Sequence, residues 1–145
     1  MSLSSSTKVP FGHAGRVLAV LFGLGFILGF LLTPLGVETR MKKLRTPAFA
    51  GFFIIVGLLI PLAGLILLFR RPKLAGVLAV TYAALLFLTA PADQARFFFT
   101  VPPPAAVTAG ELVLIFVGIG YMLCGPRVYV DNRARAANLC REPNK

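Results

Sequence analysis

The sequence predicts an all-α integral membrane four-helix bundle with short tails. Three observations point to it: four long uncharged apolar stretches, an apolar composition, and prolines and basic residues gathered at the breaks between stretches. Apolar residues make up 57% of the 145-residue chain and charged residues 14%, against about 45–50% and about 25% in soluble domains. The stretches cover residues 17–37, 48–69, 74–90 and 105–125, the last interrupted by Glu111. A helix of about 20 residues crosses a hydrocarbon core of about 30 Å. Lipid offers the backbone no hydrogen bonds, so helix is the expected state of each.

The chain divides accordingly into a tail at 1–16, a transmembrane domain at 17–125 and a basic tail at 126–145. The first tail is Ser-rich with Lys8 and Arg16, but Pro10 and Gly12 interrupt any amphipathic leader helix. The first stretch is longer than a cleaved signal's apolar core of about 7–15 residues and reads as an uncleaved first helix. That helix is expected to stop at Thr33-Pro34, where proline removes a donor and disfavours helix in the residue before it.

Thr46-Pro47 then provides an N-cap and a first-turn proline for the second helix. Pro61 lies in its middle and should kink it. The short link of Arg70, Arg71, Pro72 and Lys73 makes helices two and three antiparallel neighbours. Helix three is expected to end near Thr89-Ala90-Pro91, leaving Asp93, Gln94 and Arg96 in a polar connection. Phe97-Phe98-Phe99 suits headgroup level, and Pro102-Pro103-Pro104 is a stiff lead into helix four.

With four crossings, the two tails and the Arg70–Lys73 link share one side and hold ten basic residues, against five opposite. The positive-inside rule places both termini in the cytoplasm. A minor alternative has three crossings, with a re-entrant hairpin at Pro61, and changes the count to twelve against three. It requires a turn of backbone within the membrane, tolerated only when buried in protein or facing water.

Glu111 is the one charged residue inside an expected span, and intramembrane acids are candidates for proton or cation handling. The preferred reading is local: Thr108-x-x-Glu111 has capping-box spacing and would place the carboxylate at the positive end of the fourth helix. Small residues recur four apart as Gly25 and Gly29, as Ala75, Ala79 and Ala83, and near Gly118 and Gly120. Such spacing permits close helix packing, here expected inside the bundle rather than at a dimer face. Thr81, Tyr82 and Tyr121 are further polar groups in the spans. An interhelical hydrogen bond is expected of Tyr82, which could otherwise line a polar cavity with Glu111. Arg40, Lys42, Lys43, Arg45, Arg70, Arg71 and Lys73 are candidate contacts for anionic lipid on otherwise solvated flanks. Tyr129 and Leu139 leave room for a short interfacial helix in the basic tail.

A formal net charge of +10 suggests nucleic acid in a soluble chain, but these cations cluster at span edges and have a membrane explanation. His13 is the sole histidine, and Cys124 and Cys140 are sixteen residues apart, so no multi-histidine metal site or thioredoxin-like pair is expected. Cys124 reads as a packing residue and Cys140 as a free thiol. No phosphate-binding loop or paired carboxylates stand within the spans. The expected protein is therefore a small multi-pass accessory, assembly or structural membrane subunit, without an evident catalytic site or cofactor. Its expected partners are the lipid bilayer and a larger membrane complex or homo-oligomer. The alternative is an oligomeric transporter or channel protomer using Glu111.

Overall fold

A computed structural model describes the backbone of residues 12–141 and the side chains of residues 12–135. Expectations for residues 1–11 and for the side chains of Leu139 and Cys140 lie outside the described residues. The described chain is α1 (His13–Val37), a 3-10 segment (Glu38–Lys43), a second span, α4 (Pro72–Gln94) and α5 (Ala105–Arg141). The second span comprises α2 (Ala48–Ile54), a π-helical turn (Ile55–Leu59) and α3 (Ile60–Arg70). Four of these helical stretches are long and apolar enough to cross a membrane. Their outward side chains are large and apolar, with Leu88 70% and Phe116 71% exposed. An exterior of this kind suits lipid far better than water.

The second span is helical throughout, and the hairpin at Pro61 is not adopted. A π turn lies immediately before the proline. Pro61 lacks the N–H that would bond the Gly57 carbonyl in a regular helix, and the wider turn absorbs that break. Across this turn α1 comes so close that a methyl group on Gly29 would fall inside the Gly57 carbonyl. The α4–α5 crossing is similarly tight: a Cβ on Gly76 would lie 2.6 Å from the Gly125 carbonyl oxygen. Absence of a side chain is what permits both approaches.

Proline does not end the helices where the sequence suggested. α1 continues through Pro34, and the Glu38 N–H donates to the Pro34 carbonyl before the chain tightens into the 3-10 segment. α4 passes Pro91 and closes at Gln94. There the Arg96 N–H donates to the Asp93 carbonyl and the Phe97 N–H to the Ala92 carbonyl, each at 2.9 Å. With Arg96 at φ 59°, this is a Schellman ending built on a residue other than glycine. A proline forfeits the hydrogen bond its own nitrogen would have donated and crowds the carbonyl four residues back, but the N–H groups beyond it can still bond and the ladder resumes. α5 also runs through Pro126, making the start of the basic tail part of the same helix rather than a separate interfacial one.

The connections fix the topology. Leu44 and Phe99 form an antiparallel bridge, with the Arg45 N–H donating to the Phe98 carbonyl and the Thr100 N–H to the Lys43 carbonyl, both at 3.0 Å. The links before the second span and after α4 thus meet at one end of the bundle. At the other end, Gly12 lies beside Asp131 and Arg135 of α5, and Gly76 packs on Gly125 and Tyr129. Phe98 and Phe99 turn inward, Phe98 packing against Phe49, Phe52 and Phe53, while Phe97 stays exposed. Only one of the three aromatics is therefore free to sit at headgroup level.

Single cysteines at Lys43 and Lys73, in a chain whose native cysteines are replaced by serine, are expected to react with an impermeant maleimide from opposite sides of a sealed vesicle. Labelling from the same side would sink the four-crossing topology.

Candidate functional site: a buried charge cluster

The α1 stripe that packs inward runs through Leu18, Phe22, Gly25 and Gly29 to Gly36. Four residues further on, the 3-10 segment keeps the same face inward and buries Arg40 to 4% exposure. On α4 the inward stripe is Ala75, Ala79, Tyr82, Ala83, Leu86 and Ala90, and its next member is Asp93, 1% exposed. The two charges meet where the stripes converge. Arg40 Nη1 donates to Asp93 Oδ1 at 3.0 Å and Nη2 to Oδ2 at 2.8 Å. Nε donates to the Gly36 carbonyl at 2.9 Å, and the guanidinium lies 3.8 Å from the Phe99 ring centroid. A planar fork on a carboxylate, a backbone acceptor at its side and an aromatic face against it satisfy Arg40 from several directions.

Arg40 is thus not a lipid-facing flank residue. It reaches inward because the 3-10 segment prolongs the α1 stripe and Asp93 offers a partner. Asp93 belongs to a helix rather than to a polar loop. Lys42, Lys43, Arg45, Arg70, Arg71 and Lys73 are exposed near the bundle ends.

Glu111 stands beside this pair, but not as a cap. α5 begins at Ala105, and the Thr108 N–H already donates to the Pro104 carbonyl at 3.0 Å. The capping box is displaced because the prolines hand over directly to helix, which places Thr108 and Glu111 within it. Both side chains turn to α4 instead. Gln94 Nε2 donates to Glu111 Oε2 at 2.7 Å and to Thr108 Oγ1 at 3.2 Å, and the Asp93 carboxyl lies within reach of Glu111. With all three charges ionised, Arg40, Asp93 and Glu111 carry one net negative charge.

Below the cluster lies a cavity of about 80 Å³, lined at its polar end by Arg40, Asp93, Glu111 and Thr89 and further in by Tyr82 and Gly57. That volume admits several water molecules. Tyr82 and Glu111 do line one cavity. The interhelical hydrogen bond is made by Tyr121, whose hydroxyl donates to the Leu21 carbonyl at 2.8 Å, with the Tyr82 ring tilted against the Tyr121 ring at 5.4 Å between centroids. Thr81 bonds its own helix at Val77. Gly25, Gly29, Ala75, Ala79, Ala83 and Gly118 are all buried. Among the described residues no group of three or more His, Cys, Asp or Glu gathers as a metal site.

Comparison with protein-family models, curated proteins and solved structures gives no match for this chain.

Proposed function

We propose that this chain is a multi-pass integral membrane protein with cytoplasmic termini, serving as an accessory or assembly subunit of a larger membrane complex. The observation that carries this reading is the closure of the Arg40–Asp93 pair by the chain's own groups. A charge pair saturated in this way fixes the join between α1 and α4. The outward apolar faces are then the parts offered to the surroundings. The expected result of purification in mild detergent is a stoichiometric membrane-protein partner, and recovery of the chain alone would overturn the accessory role.

A second reading, a proton- or cation-coupled protomer, is favoured by one specific observation. Glu111 shares the interior cavity with Asp93 while Arg40 is already committed to that residue. The surplus negative charge suits one proton or one small cation. Glu111→Gln removes it and preserves the shape. Under the accessory reading neither the native chain nor this variant carries protons in proteoliposomes. Proton flux in the native chain that disappears in a folded Glu111→Gln variant would establish the second reading instead.

A further inference from the structure

We infer that the outer groove between α4 and α5 at the Gly76–Gly125 crossing is a seat for one anionic phospholipid. The inference rests on the reading that the chain spans a membrane. The groove has a volume of about 300 Å³ and is lined by Gly76, Val77, Val80, Gly125, Tyr129 and Val130. It exists because two side-chain-free positions face each other: Gly76 and Gly125 bring the backbones together and leave a furrow beside them. Val77 and Val130 stay more than half exposed along its walls, so the bundle itself does not fill it. An apolar furrow on an outward face takes an acyl chain.

Charge at the groove's outer end selects the headgroup. On α4 the groove residues Gly76, Val77 and Val80 share a helical face with Lys73, three, four and seven residues earlier. On α5 the groove residues Tyr129 and Val130 share a face with Arg133, four and three residues later. The helices are antiparallel and Gly76 packs between Gly125 and Tyr129, so Lys73 and Arg133 both lie beyond the same end of the furrow. Both are exposed. The nearby acid, Asp131, faces the start of α1 beside Gly12 and Arg135 and leaves this face positive. Tyr129, partly exposed at the junction of apolar wall and basic rim, is the residue type that favours the headgroup boundary. An apolar channel ending in two cations matches an acyl chain ending in a phosphate.

The test is native mass spectrometry of the full chain released from micelles containing equal amounts of phosphatidylglycerol and phosphatidylcholine. One phosphatidylglycerol per chain should be retained, preferred about ten-fold over phosphatidylcholine, since each basic residue near a membrane surface contributes appreciably to anionic-lipid binding. K73Q/R133Q should bring the preference close to parity, while R70Q/R71Q, which removes equal charge off the groove, should leave most of it. V77W fills the furrow from an exposed position and should abolish retention of either lipid. Equal retention of the two lipids, equal losses in the two charge pairs, or a V77W chain that still holds lipid would each overturn the assignment. So would a native dimer that V77W separates, because the occupant would then be a second copy. A chain that stays soluble without detergent defeats the membrane reading itself, whereas one that needs micelles but holds both lipids alike defeats only the lipid seat.

Discussion

Asp93→Ala is expected to destabilise the bundle by about 3–5 kcal/mol, the range for breaking a buried ion pair by removing one partner. The residue is 1% exposed and its partner Arg40 4%, so the pair is withdrawn from bulk solvent. Arg40 would retain the Gly36 carbonyl and the Phe99 face but lose both carboxylate oxygens. Glu111, also facing the cavity, is the nearby acid that can compensate. D93A/E111Q should therefore be less stable than the sum of the two single changes. Replacing both partners with apolar residues, as in R40M/D93L, should recover most of the loss, because apolar replacement of an entire buried pair is commonly near neutral. Unfolding midpoints in mixed detergent micelles measure all four variants. A D93A chain within about 1 kcal/mol of the native one would show that the pair does not hold α1 to α4.

Gly29→Ala is the second large effect, expected to cost about 3 kcal/mol, at the upper end of the range for overpacking. The added methyl has nowhere to go. Its nearest neighbours are the carbonyl oxygen, carbonyl carbon and Cα of Gly57, all backbone. Relief requires moving the π turn, which Pro61 holds in place from the next turn. A control, Gly23, stands on the same helix. A Cβ at Gly23 meets nothing within 4 Å, so Gly23→Ala should gain up to about 1 kcal/mol from helix propensity. The same unfolding assay decides the comparison, and equal effects at Gly23 and Gly29 would remove the close crossing as an explanation.

The four stretches and their antiparallel order were legible because lipid-compatible helices require long apolar runs, and 17–37, 48–69, 74–90 and 105–125 lie within helical spans of the structure. Their ends were less legible. Pro34, Pro91 and Pro126 look like stops when read locally, yet each is carried within a helix. The charge cluster is hidden for the same reason: a local reading that stops the first and third helices at their prolines leaves Arg40 and Asp93 in loops. Extending the inward stripes by one more turn, from Gly36 to Arg40 and from Ala90 to Asp93, is the signal that finds them. Glu111 is legible as a charge within an apolar stretch, but its local spacing to Thr108 suggests a cap. Its hydrogen-bonded neighbour is Gln94, seventeen residues earlier on another helix.

The sequence by itself determined the class of solvent this fold suits, the number of long apolar helical spans and which faces carry small residues, because composition and periodicity act along one chain segment at a time. The tertiary structure decided where the helices end and which charges are buried. It also decided that Gly29 must yield to the Gly57 carbonyl and that Gly76 and Gly125 meet at one groove. Those outcomes depend on pairs far apart in the chain. A buried arginine is tolerable only when a carboxylate 53 residues away arrives at the same depth and orientation, and no local pattern encodes that meeting.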